Sequence, residues 1–284
     1  MSKITHVGIV GTGIMGSGIA LLCAQAGYGV ALVGRRPESV ARGMDSVKAW
    51  LGRLVERKQM TAQAMEEVLG RVQGTTDLNA VKRSGMVIEA IAENLEVKKE
   101  LFQRLDKLCP PETILASDTA TLPIREMAQA TGRPDKVIGM HLLSPAPLSK
   151  IVEVVRSELT SEDTVQRSRA FCESLGLSVV VVKDSPGFII NRLLAPYLLD
   201  AVRLVEQGVA SKEDIDTCMR LGCGYPAGPL RLLDLVGLDQ FHDLASSLYQ
   251  LLGDPKYKPP QLLTDMVAQG KLGRKSREGF YKWD

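Results

Sequence analysis

The first thirty-six residues constrain this 284-residue chain more than any other stretch. His6 to Val10 (HVGIV) is short, apolar and β-branched, as a buried strand requires. It runs straight into Gly11-Thr12-Gly13-Ile14-Met15-Gly16, and Ser17 to Ala26 then reads as a helix. A second apolar run, Val30 to Val33, ends in Gly34-Arg35-Arg36. Strand, glycine turn, helix and strand in this order form the unit that receives a dinucleotide. Gly11 permits the tight turn, Gly13 lets a pyrophosphate approach the backbone, and Gly16 lets helix and strand pack closely. The unpaired N–H groups at the helix start favour an anion, so Gly11, Gly13, Ile14, Met15 and Gly16 form the expected pyrophosphate cradle.

The end of the second strand selects the dinucleotide. An Asp or Glu there would hold a ribose diol. Eighteen residues beyond Gly16 stands Gly34, which has no carboxylate, and Arg35 and Arg36 follow at once. A planar, charged guanidinium suits a phosphate dianion better than a neutral diol. The expectation is therefore NADP(H) in preference to NAD(H), decided by Gly34, Arg35 and Arg36. Arginines that merely lie on a solvated loop would let the pocket accept either cofactor.

At this length two domains fit more comfortably than one core. Hydrophobic residues make up 45% and charged residues 24%, as in an ordinary globular protein. The net charge of +2 comes from both signs mixed along the chain, which gives no support for a nucleic-acid or membrane partner. No apolar run approaches the length of a membrane span. The start, Met1-Ser2-Lys3, leads almost directly into the first strand, so no targeting segment is expected. Cys23, Cys109, Cys172, Cys218 and Cys223 are scattered without a CxxC pair, and read as reduced thiols serving as small core residues in a cytoplasmic protein.

After Arg36 the pattern turns helical from Pro37-Glu38-Ser39, with one or two helices over Val40 to Leu69. Gly74 to Asp77 reads as a turn and Met86 to Ala90 as a buried strand. Glu96 to Leu108 is an amphipathic helix stopped by Pro110-Pro111. Further strands are expected at Thr113 to Ser117, at Val137 to Met140 with His141 just past its end, at Lys150 to Val155 and at Ser178 to Val182. A helix through Leu175 precedes the last of these. Strands separated by helices predict an α/β Rossmann domain with a mostly parallel, doubly wound sheet. Asp184-Ser185-Pro186-Gly187 breaks this alternation. The expected division is 1–184 for dinucleotide binding and 185–284 for an all-α domain serving substrate and dimerisation. Phe188 to Gln207 is apolar over too wide an arc for a surface helix, so it is expected to be buried in that domain or against a second copy. Ser211 to Asp214 reads as a helix start, and Leu230 to Leu252 as helical again.

Four separated stretches resemble the short-chain L-3-hydroxyacyl-CoA dehydrogenases, the 3-hydroxybutyryl-CoA dehydrogenase group. They are Gly139-Met140-His141 through Pro145-Ala146-Pro147 to Val155; Pro186-Gly187-Phe188-Ile189-Ile190-Asn191-Arg192; Tyr225 to Leu230; and Gly273-Arg274-Lys275 through Gly279-Phe280-Tyr281. The resemblance runs in order over essentially the whole chain. It implies hydride transfer between a nicotinamide cofactor and a 3-hydroxyacyl thioester, fatty acid metabolism and a homodimer. Oxidising a secondary alcohol needs a base for the hydroxyl proton, and His141 suits the task because an imidazole titrates near physiological pH. Glu153 would accept from the other ring nitrogen, fix the tautomer and stabilise imidazolium. The resemblance also implies that Asn191 contacts the substrate across the domain cleft, and that Glu93, Lys98 and Lys275 lie near the cofactor.

The chain departs from this family in specific places. The family usually reads Ser-Asn-Thr-Ser-Ser where this chain reads Ser117-Asp118-Thr119-Ala120-Thr121. The serine that bonds the substrate hydroxyl aligns with Ala120. Thr121 or Thr119 could supply that hydroxyl; the enzyme could work without it; or the substrate could differ. One neutral hydrogen bond is worth about 0.5–1.5 kcal/mol, or about tenfold in rate at most. Ser144 replaces the usual Asn before Pro145, Leu142-Leu143 an aromatic pair, and Cys223-Gly224-Tyr225 the commoner Ala-Asn-His. Lys48, Arg53, Arg57 and Lys58 offer charge for the phosphates of CoA or an acyl-carrier protein, or else form a solvated helix face. The expected substrate contacts are Ala120, Ser144 and Arg53. Two rival readings are a dehydrogenase of a free hydroxy acid and a cofactor-binding protein without turnover.

Overall fold

The computed structural model describes residues 4–284, so the lead-in expected at Met1 to Lys3 lies outside the described residues. It divides into two compact units, residues 1–185 and 186–284.

The first unit alternates strands and helices. In order these are β1 (His6–Val10), α1 (Ile14–Gln25), β2 (Gly29–Val33), α2 (Pro37–Glu56), α3 (Ala62–Leu69), β3 (Val72–Thr75), β4 (Met86–Glu89), α4 (Leu95–Leu108), β5 (Ile114–Ser117), α5 (Ile124–Gln129), β6 (Val137–Leu142), β7 (Ile151–Arg156), α6 (Glu162–Ser174) and β8 (Ser178–Lys183). The strands form one eight-stranded sheet in the order β3-β2-β1-β4-β5-β6-β7-β8. Every neighbouring pair is parallel except β6 and β7. The order reverses between β1 and β4, where open α/β sheets leave a crevice beyond the strand ends. β1, β4 and β5 are apolar without alternation because both faces are covered, and Val7, Ile9, Ile88 and Ile114 are fully buried.

Several helix boundaries have local causes. Thr61, Asn94 and Ser161 each accept a backbone N–H in the first turn of α3, α4 and α6. Pro37 stands at the first position of α2, where its missing N–H costs nothing.

Two sequence expectations need correction here. Gly74 to Asp77 is not simply a turn, because Gly74 and Thr75 complete β3 beside Leu32 and Val33 of β2. Four residues with one fully apolar position carry too weak a period to show as a strand without their neighbour. His141 lies inside β6 rather than past it, because pairing with β7 extends the strand through Leu142.

The second unit is helical: α7 (Ile190–Glu206), α8 (Lys212–Thr217), α9 (Pro229–Val236), α10 (Leu238–Leu252) and α11 (Gln261–Ala268). Leu198, Leu199, Val202, Leu230, Phe241 and Leu248 build its core. The helix expected over Leu230 to Leu252 is two helices. Gly237 adopts φ +102° between them, a left-handed conformation that favours glycine. α7 is not buried all round: Leu193 remains 69% exposed and Leu204 38% exposed in the single chain.

Two buried carboxylates tie this unit together. Asp216 accepts from the backbone N–H groups of Leu230 and Arg231 (2.8 and 2.9 Å) and from the Tyr281 hydroxyl (2.9 Å). Asp234 accepts from the N–H groups of Phe280 and Tyr281 (both 2.8 Å) and from the Trp283 indole (2.9 Å). The glycines of the last two motifs fit this arrangement. A Cβ at Gly228 would strike Asp216, and one at Gly273 or Gly279 would strike Asp234. Among the described residues, no helix is long and apolar enough to cross a membrane.

Candidate active site

The glycine turn has the shape its sequence requires. Gly11 adopts φ +124°, and a Cβ there would strike the Ala90 carbonyl. A Cβ on Gly16 would strike the Gly11 carbonyl, so helix and strand touch where the sequence removes the side chain. Around Gly13 a Cβ would meet nothing within 4 Å. That open space lies at the N-cap of α1, where a pyrophosphate could approach the unpaired N–H groups. Ile14 is exposed beside it and Met15 is half-buried. The residues present fit a dinucleotide.

At the end of β2 neighbouring side chains crowd the space that a side chain would take. A Cβ on Gly34 would press on Val40, Thr12 and the Ser39 hydroxyl. Arg35 and Arg36 are exposed, and neither guanidinium has an ion-pair partner among the described residues. The Arg36 backbone is fixed by Ser39, whose hydroxyl donates to the Arg36 carbonyl at 2.7 Å.

The antiparallel pair β6/β7 brings together the two candidate acid–base residues. His141 and Glu153 are opposite each other in register, which places their side chains on the same face of the sheet. His141 Nδ1 and Glu153 Oε2 lie 2.7 Å apart, and both residues are buried. The carboxylate fixes the orientation of the ring. Ser144, just beyond β6, is exposed at a cis bond to Pro145.

A second cluster stands at the ends of β4 and β5. Lys98 is buried on α4 and pairs with Glu89 Oε1 at 2.5 Å and with Glu93 Oε2 at 3.4 Å. Glu89 Oε1 also accepts from the Ile91 N–H at 2.7 Å, and its Oε2 accepts from the Ser117 hydroxyl at 2.6 Å. Glu93 Oε1 receives the Thr119 hydroxyl (2.5 Å), the Ala120 and Thr121 N–H groups (3.1 and 3.2 Å) and the Thr121 hydroxyl (3.2 Å). The two candidate substitutes for the missing serine thus both donate to Glu93. Glu89 and Ser117 are not among the candidates the sequence singles out. A Glu ending an otherwise apolar strand, nine residues before a lysine, was the available signal.

The remaining candidates lie elsewhere. Arg53 is exposed on α2 with its guanidinium 4.3 Å above the Trp50 ring, and Lys48, Arg57 and Lys58 are also exposed. Asn191 and Lys275 belong to the second unit. Asn191 is buried in the first turn of α7, and Lys275 pairs with Asp239 at 2.5 Å. Of the cysteines, Cys23, Cys109 and Cys172 are buried. Burial pushes the Cys109 thiol to about 11, against the opposing effect of Arg133, and the Cys172 thiol to about 12. Cys218 and Cys223 are exposed, contrary to the expectation of core residues, because the short turn they flank lies on the surface of the helical unit.

Fold and site together define a dinucleotide-binding α/β domain followed by a helical domain. Comparison with known proteins makes this more specific. Residues 6–185 match the 3-hydroxyacyl-CoA dehydrogenase NAD binding domain, and residues 187–283 match the 3-hydroxyacyl-CoA dehydrogenase C-terminal domain. The chain is 43% identical over 282 residues to a probable 3-hydroxybutyryl-CoA dehydrogenase of Bacillus subtilis, covering 99% of this chain and 98% of that one. It is 43% identical over 287 residues to the mitochondrial hydroxyacyl-coenzyme A dehydrogenase of Rattus norvegicus, covering 99% and 91%. The crystal structure of (S)-3-hydroxybutyryl-CoA dehydrogenase from Ralstonia eutropha superposes with a TM-score of 0.93 at 39% identity, covering 99% of this chain and 100% of that one. The chain belongs to the 3-hydroxyacyl-CoA dehydrogenase family.

Proposed function

We propose that this protein transfers a hydride between NADP(H) and a 3-hydroxyacyl or 3-oxoacyl thioester, with His141 and Glu153 as the acid–base pair. The observation that carries the reading is the buried 2.7 Å contact between them, on strands of the sheet whose first turn is a dinucleotide cradle. When bound, the nicotinamide ring accepts or gives the hydride. His141 takes the hydroxyl proton in oxidation and returns it to the carbonyl oxygen in reduction. Glu153 holds Nδ1, so the moving proton is carried at Nε2, and it stabilises the imidazolium that forms. Glu93 and Lys98 support the cofactor side. Thr119 and Thr121 position Glu93 through their hydroxyls, and Thr121 borders the position where the family's serine stands. Asn191, in the second unit, contacts the substrate. Lys275 and the basic face of α2, with Arg53, serve the cofactor and the thioester phosphates respectively.

NADP(H) preference is supported by the closed space around Gly34 and by the two unpaired arginines after it. A carboxylate cannot stand at Gly34 without displacing Val40 or Thr12, and a guanidinium fork matches a 2′-phosphate. Leu193 and Leu204 supply apolar surface for pairing of two copies, and a dimer mass in sedimentation would check this.

The experiment is oxidation of NADPH and, separately, of NADH with acetoacetyl-CoA, followed by absorbance. Turnover with a higher kcat/KM for NADPH is the expected result. Arg35→Asp should weaken NADPH by about tenfold or more and leave NADH within a few-fold. Turnover favouring NADH, or equal loss of both cofactors in the variant, overturns the arginine reading. No turnover with CoA thioesters moves the substrate to carrier-protein thioesters or free hydroxy acids.

A further inference from the structure

Glu89 is the last residue of β4 and is fully buried, so no ligand reaches it directly. Its carboxylate nevertheless meets three separate elements. Oε1 accepts from the Lys98 ammonium of α4 at 2.5 Å and from the Ile91 N–H of the loop after β4 at 2.7 Å. Oε2 accepts from the hydroxyl of Ser117, the last residue of β5, at 2.6 Å. From both oxygens the contacts lead to the same place. On one side Lys98 reaches Glu93 Oε2 at 3.4 Å. On the other, Ser117 Oγ accepts from the Thr119 N–H at 3.3 Å, and the Thr119 hydroxyl donates to Glu93 Oε1 at 2.5 Å. Glu89, Lys98, Glu93, Thr119 and Ser117 thus close a ring of hydrogen bonds. Thr119 Oγ1 also accepts from the Leu122 N–H at 3.0 Å, so the protons of both hydroxyls go to the carboxylates. The three protons of the Lys98 ammonium have three acceptors, the third being the Ile91 carbonyl at 3.4 Å. Four members of the ring are at most 1% exposed, whereas the Glu93 side chain is 36% exposed. Whatever binds against the ring therefore meets it at Glu93.

We propose that Glu89 is a positioning residue for cofactor binding. From the buried side of the ring it sets Glu93 and the loop from Thr119 to Thr121, through Lys98 on one arm and Ser117 on the other. Glu93 Oε1 also accepts from the Ala120 and Thr121 N–H groups, so the ring fixes the stretch in which Ala120 replaces the usual serine. The same loop is tied to the strand of His141, because the Leu142 N–H donates to Asp118 Oδ1 at 3.0 Å. The ring stands at the ends of β4 and β5. The strand order reverses between β1 and β4, so the ring borders the half of the crevice that the glycine turn after β1 does not occupy. This step rests on the cofactor reading given under Proposed function.

A ring of this kind can be opened at chosen points. Glu89→Gln keeps the size of the side chain and replaces one acceptor oxygen by an NH2 group. The Lys98, Ile91 and Ser117 donors then face a single acceptor oxygen, so one arm of the ring must open. Ser117→Ala opens the Thr119 arm by removing the hydroxyl that joins it to Glu89. Neither change touches Glu93 itself, so an effect on the cofactor has to travel through the ring.

Three measurements on the full chain test this. Amide hydrogen exchange in Glu89→Gln should be about tenfold faster at Thr119, Ala120 and Thr121, with β1 and β2 unchanged. Calorimetric titration with NADPH and with NADH should show the Kd of the preferred cofactor raised about tenfold. In steady state the KM for that cofactor should rise by about as much while kcat stays within about threefold, as for a group that acts on binding alone. Ser117→Ala should behave likewise and carries the test should Glu89→Gln not fold. The double variant should bind about as well as the poorer single one, because both cut one ring. Unchanged exchange in the loop overturns the proposal. So does exchange that rises equally across the sheet with cofactor affinity kept, the mark of a purely structural carboxylate, and so do additive losses in the double variant. A wild type that binds neither NADPH nor NADH overturns the cofactor reading instead, and the loop amides then decide whether Glu89 sets Glu93 and its loop.

Discussion

In the helical unit, Asp216 and Asp234 end on neutral donors: backbone N–H groups, a phenol and an indole. In the sheet unit, Glu153, Glu89 and Glu93 each meet a titratable side chain, His141 or Lys98, and Glu89 and Glu93 hold neutral donors besides. All but Glu93 are buried. A carboxylate surrounded by fixed neutral donors acts as a clasp, since nothing near it changes protonation in the working range. A carboxylate facing a titratable partner can stabilise a charge that comes and goes. Burial alone does not separate the two uses; the partner does.

The largest effect expected from this contrast is on rate. His141→Gln removes the acid–base group while keeping a polar side chain of similar reach. It should lower kcat by about 10²–10⁴-fold with little change in the unfolding midpoint. A fold-wide loss of stability with unchanged kcat would show that the pair is a clasp like those of the helical unit.

Next comes Lys98→Met, which leaves Glu89 buried without its ammonium. Denaturant unfolding should show a loss of about 3–5 kcal/mol. Adding Glu89→Gln should recover much of it, because the uncompensated charge then disappears. If the single and double variants are equally destabilised, the lysine stem rather than the ion pair is what matters.

The smallest of the three should be Asp234→Ala, which strips one acceptor from three donors. Unfolding should cost about 2–4 kcal/mol less than in the wild type, and cofactor binding should be unchanged. Impaired cofactor affinity in this variant would break the division between clasp and chemistry.

How much of this was legible follows the range of the interactions. The Gly11–Gly16 turn, β1, α1 and β2 were readable because glycine spacing and apolar period are local properties. α4 was readable for the same reason. β3 was not, since Val72 to Thr75 shows strand character only beside β2. The break between α9 and α10 was hidden because a lone glycine inside an apolar helical pattern does not announce a positive φ. His141 and Glu153 were found by resemblance, and their mutual contact was expected. The reason they meet, an antiparallel pairing in an otherwise parallel sheet, was not. Asp216 and Asp234 went unnoticed because their partners lie fourteen to sixty-five positions away in sequence.

By itself the sequence determined the dinucleotide turn, the α/β alternation, the helical second unit and the family, because each is written in spacing or motif that neighbours along the chain carry. Only the tertiary structure decided that Thr119 and Thr121 donate to Glu93, that Gly34 is closed to a side chain, and that Asp118 joins β5 to the residue after His141. Those facts depend on which strands lie side by side and in what register. Hydrogen bonds of about 3 Å between residues tens of positions apart leave no periodic trace in the sequence.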